Sequence, residues 1–177
     1  MVVLQLTLNS IYGFDDFNIN FTYPKKIVNS FIESENLEGR ERFRYKKAVI
    51  LMGANATGKT SLGKALLRIF NYMANGNPIP LCEMVCGAKG SFSIDFVNGD
   101  NRLQRLTAEI VPNRNEVEIR YQDAEIGVLD SYEKCVAKLQ DRTAEVIETA
   151  TALKKRVGEV RCRFAYPEIE KSLKLTK

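Results

Sequence analysis

The sequence predicts a mixed α/β domain, and three observations carry that reading. Ala48-Val49-Ile50-Leu51-Met52 is an unbroken apolar run that enters a glycine-bearing stretch, Gly53 to Ser61, and then a helical repeat. Near the N-terminus, two alternating segments flank a turn containing Gly13 and Asp15-Asp16, the pattern of an antiparallel hairpin. Between Ser91 and Tyr121, three further strand-like runs are joined by short turns and read as an antiparallel meander. At 177 residues, 45% apolar and 27% charged, the chain suits one globular domain with a sizeable core.

Each element follows from its local pattern. Val2 to Thr7 sets Val2, Leu4 and Leu6 against Val3, Gln5 and Thr7, and Phe17 to Phe21 alternates again until Pro24 ends the strand. Residues 25–47 are polar with scattered apolars and read as a long loop with a short helix at most. Ala48 to Met52 lacks alternation, which suits a central parallel strand covered on both faces. Leu62, Ala65, Leu66, Ile69, Phe70 and Met73 mark one face of a helix that Asn75-Gly76-Asn77-Pro78 stops. A short helical segment is expected over Leu81 to Val85. The meander follows as Ser91 to Val97, Leu103 to Val111 and Glu116 to Tyr121, with turns at Asn98-Gly99-Asp100-Asn101 and Pro112-Asn113-Arg114-Asn115. Phe92, Ile94 and Phe96 share one face of the first strand, so Asp95 is expected on the solvent side. From about Asp130 the spacing of Tyr132, Val136, Leu139, Thr143, Val146, Ala150, Leu153, Val157, Val160 and Phe164 predicts a long C-terminal helix, ended by Pro167. A coiled-coil arm and an amphipathic helix lying on its own sheet both fit that seam.

The chemistry sits in Gly53-Ala54-Asn55-Ala56-Thr57-Gly58-Lys59-Thr60-Ser61, which has the form G-x-x-x-x-G-K-[ST] in the strand-loop-helix context that a phosphate-binding loop requires. Gly53 and Gly58 let the backbone approach phosphate oxygens, and successive N–H groups with the first helical turn point at the anion. Lys59 supplies a compact charge for β- and γ-phosphates, the Thr60 hydroxyl suits Mg²⁺, and the Ser61 hydroxyl is in reach of an α-phosphate. Binding of a nucleoside triphosphate is the expectation.

The spelling Gly53-x-Asn55-x-x-Gly58-Lys59-Thr60-Ser61-Leu62 resembles the loop of ABC-type ATPase heads, and more closely that of the SMC/RecF/OLD branch and its abortive-infection relatives in bacterial phage defence. Leu4 to Phe21, with the aromatic-rich turn Ile11-Tyr12-Gly13-Phe14, and Phe164-Ala165-Tyr166-Pro167-Glu168 are similar to that branch too. The resemblance implies a P-loop NTPase fold: residues 1–177 as a single, partial domain, 1–128 the nucleotide-binding lobe and 129–177 a helical arm or interface helix. It also implies ATP and Mg²⁺ as ligands and a homodimer or a C-terminal ATPase lobe as partner. Tyr23, Phe31 and Phe43 are candidates for stacking on the base. A β-meander after the first helix fits such a lobe better than the strand-helix-strand units of a simple P-loop kinase.

Other classes are limited by composition. No run approaches the ~20 apolar residues that span a bilayer, and the N-terminus lacks the basic start of a signal peptide, so a cytoplasmic protein with reduced thiols is expected. Cys82 and Cys86 are four apart, Cys135 and Cys162 are isolated, and buried apolar cysteines are the expectation over a zinc site. The absence of histidine removes Ser-His and Cys-His pairs. The segment Arg40, Arg42, Arg44, Lys46 and Lys47 with Glu41 accounts for the net charge of +4, and it suits either a nucleic-acid backbone or a solvated loop.

A hydrolysing site also needs a carboxylate at the end of a second buried strand. Asp130 is the nearest candidate, although helix N-cap is the better-fitting role. Gln104 and Gln122 are weak candidates for a sensor glutamine, and no signature loop is visible. The sequence therefore leaves three readings: half of an ABC-type head, a small P-loop kinase or NTPase using Asp130, and a non-catalytic nucleotide-binding interaction module.

Overall fold

The computed structural model describes residues 1–23, 35–54 and 57–158. It is a mixed α/β structure built on one mostly antiparallel sheet. The chain runs through β1 (Val2–Asn9), β2 (Phe17–Asn20), β3 (Asn36–Leu37), β4 (Arg40–Arg44), α1 (Lys59–Asn75) and α2 (Ile79–Cys82). It continues through β5 (Gly90–Asn98), β6 (Arg102–Val111), β7 (Glu116–Glu125), α3 (Tyr132–Gln140), β8 (Glu145–Ile147) and α4 (Ala150–Val157). Six strands form the main sheet in the order β2-β1-β5-β6-β7-β8, and β3 pairs with β4 separately. The N-terminal hairpin and the meander stand as the alternating patterns predict, with β6 facing β7 in register from Arg102–Glu125 to Val111–Glu116.

Both faces of the sheet are covered. On one face α1, α2 and α4 pack Leu62, Ala65, Ile69, Met73, Leu81 and Leu153 against Leu6, Phe92, Ile94, Leu106 and Ile119. On the other, α3 and β4 bring Tyr132, Cys135, Leu139 and Phe43 onto Leu4, Val97, Leu103 and Ala124. Strand β1 serves both because its register against β5 slips between Val3 and Gln5, an extra residue that turns Leu4 to the second face while Leu6 returns to the first.

The second cover corrects the placing of Asp95. Its side chain is opposite the Phe92-Ile94-Phe96 face, as alternation requires, but α3 lies there and Asp95 is 2% exposed. Arg105, its cross-strand neighbour, clamps both carboxylate oxygens at 2.7 Å. The Tyr132 hydroxyl donates to the same carboxylate at 2.7 Å and lies 2.5 Å from Gln5 Oε1. With its one proton on Asp95, that hydroxyl accepts from the Gln5 amide once the amide is turned over. Burial pushes the Tyr132 phenol above its ordinary range, and the Asp95 carboxylate holds Arg105 more firmly protonated.

Three expectations differ, the first being that the stretch 25–47, read as a loop, holds the paired strands β3 and β4. The long helix is broken between residues 132 and 158: α3 stops at Gln140, β8 joins β7 through Tyr121–Glu145 to Ile119–Ile147, and α4 begins afresh. Thr149 caps α4, its hydroxyl accepting from the Ala152 N–H at 3.1 Å, so α4 has a helix start of its own. Residues 159–177, with Cys162 and the end of that seam, lie outside the described residues. The expected central strand at 48–52 is not formed either. Val49 and Leu51 are each 44% exposed, Ile50 84% and Met52 85%, in irregular chain without a ladder partner among the described residues. A strand of this composition needs a neighbour on each side, and the sheet described here has its own edges elsewhere.

Candidate phosphate-binding site

The site is assembled at the start of α1. Alpha-helical dihedrals begin at Lys59 after Gly58, which sits at φ 84° and ψ 3° in the left-handed region that favours glycine. No side chain caps this end and the first turn has no acidic residue. The first bond of the helix runs from the Leu62 N–H to the Gly58 carbonyl at 2.9 Å, so the preceding amides have no helical acceptor and carry the positive end of the helix dipole.

Lys59 folds back over the loop that precedes it. Its ammonium donates to the Gly53 carbonyl at 2.6 Å, the Ala54 carbonyl at 2.5 Å and the Thr57 hydroxyl oxygen at 3.1 Å. Thr57 in turn donates to the Ala54 carbonyl at 2.9 Å. The charge is thus fixed at the loop by carbonyls, with no carboxylate among those partners to neutralise it. Thr60 is exposed and Ser61 half-buried on the first turn. Asn55 and Ala56 lie outside the described residues. The donor set fits a polyphosphate with a hard divalent cation: free amides and an ammonium for phosphate oxygens, and an exposed hydroxyl for the metal.

One contact was not legible in the motif. A Cβ built on Gly58 would lie 3.0 Å and 3.2 Å from Cζ and Cε1 of Phe14, so that ring rests directly on the glycine. Phe14 belongs to the turn between β1 and β2, and its own ring stacks at a tilt on Phe17, centroids 4.6 Å apart.

The remaining candidates fall elsewhere. Asp130 is buried but is not the N-cap of α3; Ser131 holds that position. Asp130 instead accepts from the Gly127 N–H at 2.8 Å, pairs with Lys134 at 3.1 Å and binds Lys138. The bond to Lys138, with those from Gly127 and Lys134, brings its carboxyl down to about 2. Gln104 is buried with its amide 3.4 Å from Asp100, and Gln122 donates to the Leu139 and Arg142 carbonyls at 3.1 Å and 2.7 Å. Phe43 is wholly buried in the second core and cannot stack on a base, while Phe31 lies outside the described residues. Tyr23 is half-buried, with Arg44 and Lys46 at 5.6 Å and 5.8 Å from its ring centre. In the basic segment Arg40 is taken up by the Ile126 carbonyl at 2.6 Å, whereas Arg42 and Lys47 are exposed. Cys82 and Cys135 are buried, with burial pushing the Cys135 thiol up to about 11; Cys86, against expectation, is exposed.

Phe21, Tyr45, Lys46, Val49, Leu66 and Phe70 border a cavity of about 490 Å³. Of the exposed run 49–52, Val49 lines this cavity, together with Leu66 and Phe70 of α1. No helix among the described residues is long and apolar enough to cross a membrane. Compared with known proteins, the chain matches no family model and shows no significant match to a curated protein.

Proposed function

We propose that this chain binds ATP with Mg²⁺ on Gly53 to Ser61, as the N-terminal half of an ABC-type ATPase head of the SMC/RecF/OLD branch. The observation that carries the reading is the Lys59 ammonium, held against the Gly53 and Ala54 carbonyls at the mouth of a helix with no cap and no first-turn acid. In this reading the β- and γ-phosphates lie between Lys59 and the amides of the first turn, Thr60 ligates Mg²⁺, and Ser61 meets the α-phosphate.

The half-head part is supported by the apolar run at 49–52 and the hollow beside it. A completing lobe supplies strands on either side of that run, together with the water-orienting carboxylate and the signature loop that hydrolysis requires. Asp130 is a poor substitute, since two lysines and the Gly127 amide already occupy its oxygens. The completed head then relays nucleotide state to a DNA- or RNA-acting or phage-defence module, with Arg42 and Lys47 as exposed contacts for a nucleic-acid backbone.

Calorimetric titration with ATP and Mg²⁺, with phosphate release read in the same samples, tests this on the chain and on Lys59→Ala. Binding without turnover, lost in Lys59→Ala, is expected. Absence of binding by the unaltered chain overturns the proposal, and lysine-dependent turnover by the chain alone overturns its half-head part.

A further inference from the structure

The turn between β1 and β2 is unusual in its backbone. Of the five non-glycine residues with positive φ among the described residues, three lie in it: Ser10 at 53°, Tyr12 at 50° and Asp16 at 49°. A tyrosine in the left-handed region is a strained residue, and such strain persists only where surrounding contacts over-determine it. Those contacts are present. The Ser10 N–H and hydroxyl both donate to Asp15 Oδ1 at 3.0 Å, the Tyr12 N–H donates to the Met84 carbonyl at 2.9 Å, and the Cys86 N–H to the Ser10 carbonyl at 2.8 Å. The Arg68 guanidinium, three turns along α1, lies 5.7 Å from the Tyr12 ring centre. The product of this clamped, strained turn is a phenyl ring set 3.0 Å from where a Cβ on Gly58 would stand.

We propose that Phe14 is a positioning residue for polyphosphate binding, an inference that rests on the reading of Gly53 to Ser61 as a phosphate loop. Gly58 must hold its left-handed dihedral for the amides of Lys59, Thr60 and Ser61 to converge on one anion. The Phe14 ring fills the space in which that peptide would otherwise swing, and it does so from a turn anchored to both α1 and the segment after α2. The ring makes no contact with phosphate; it acts through the geometry of Gly58.

Binding of inorganic triphosphate with Mg²⁺, followed by calorimetry, tests this on the full chain and on Phe14→Ala and Phe14→Leu, with urea unfolding on the same samples to confirm that each is folded at the titration temperature. Phe14→Ala is expected to weaken triphosphate binding about tenfold and Phe14→Leu, which keeps an apolar mass over the glycine, about threefold or less. A second arm places Gly58→Ala in the native and Phe14→Ala backgrounds. The added methyl meets the ring only in the native background, so its effect on affinity is expected to be smaller once the ring is gone. Triphosphate affinity unchanged in folded Phe14→Ala, or equal Gly58→Ala losses in both backgrounds, overturns the inference. If the unaltered chain itself fails to bind triphosphate, the phosphate-loop reading falls, which is a separate result.

Discussion

Replacing Ile50 and Met52 together by serine distinguishes an exposed apolar run from a buried central strand by a wide margin. Full burial of such a side chain contributes about 1.5–3 kcal/mol. With Ile50 84% and Met52 85% exposed, about one sixth of that is at stake at each position, and the double variant should lose less than about 1 kcal/mol. Were the run buried in the chain, each truncation would cost about 2–5 kcal/mol, and the pair would approach the whole stability of a domain this size. Urea unfolding followed by far-UV circular dichroism reads the difference as a midpoint shift at constant slope. A loss above about 2 kcal/mol would show that residues 48–52 are covered in the isolated chain and would refute the placement described here. The same variant should also self-associate less in sedimentation, because contiguous exposed apolar residues promote contact between copies.

Asp95→Ala should be among the most damaging single changes, because it leaves the Arg105 guanidinium, 22% exposed, and the buried Tyr132 hydroxyl without their shared partner; a loss of about 2–4 kcal/mol is expected in urea unfolding. Gly76→Ala combines a φ of +74° with a new Cβ 2.2 Å from Ala150 Cβ, and it should separate α1 from α4 at a cost of about 2 kcal/mol or more, measured by thermal unfolding. For Asp130 the folded carboxyl titrates at about 2 against an ordinary 3.8, so its stabilisation is complete above pH 4 and is lost as pH falls toward 2. The lysines that hold it are 60% and 45% exposed, which reduces the contribution to about 1 kcal/mol. Asp130→Asn should therefore be less stable than the native chain at pH 7, with the gap closing by pH 2 in acid-unfolding curves.

Much of the architecture was legible because it depends on local spacing. Alternation in Val2 to Thr7 and Phe17 to Phe21, turn chemistry at Asn98-Gly99, and the 3.6-residue repeat from Leu62 to Met73 each specify an element without reference to the rest of the chain. Several of the failures are of one kind: a property set by a neighbour that spacing does not name. Ala48 to Met52 carries the composition of a covered strand, but a strand is formed by partners, and none stands beside it among the described residues. Asp95 lies on the face that alternation assigns, yet whether that face meets water was decided by α3, more than thirty residues on. The periodic seam from Tyr132 ran on through Thr143 and Val146, but pairing with β7 turns Ile147 inward and leaves Val146 54% exposed. At the site, Gly58 and Lys59 were legible from the motif, whereas the contact of Phe14 with Gly58 joins positions forty-four residues apart and leaves no mark in either stretch.

The strand order carries a consequence for how the chain reaches its native state. The pairings of β5 with β6 and β6 with β7 join sequence neighbours, so the meander closes short loops and can form early. Pairing of β1 with β5 instead closes a span of about 80 residues, at an entropic cost on the order of 4 kcal/mol, and it is expected to be the slow event. The stretch 53–61, α1 and the Phe14 turn all lie inside that span. Refolding should accordingly show most of its strand signal before the Phe14–Gly58 contact, which should appear only with the final kinetic phase.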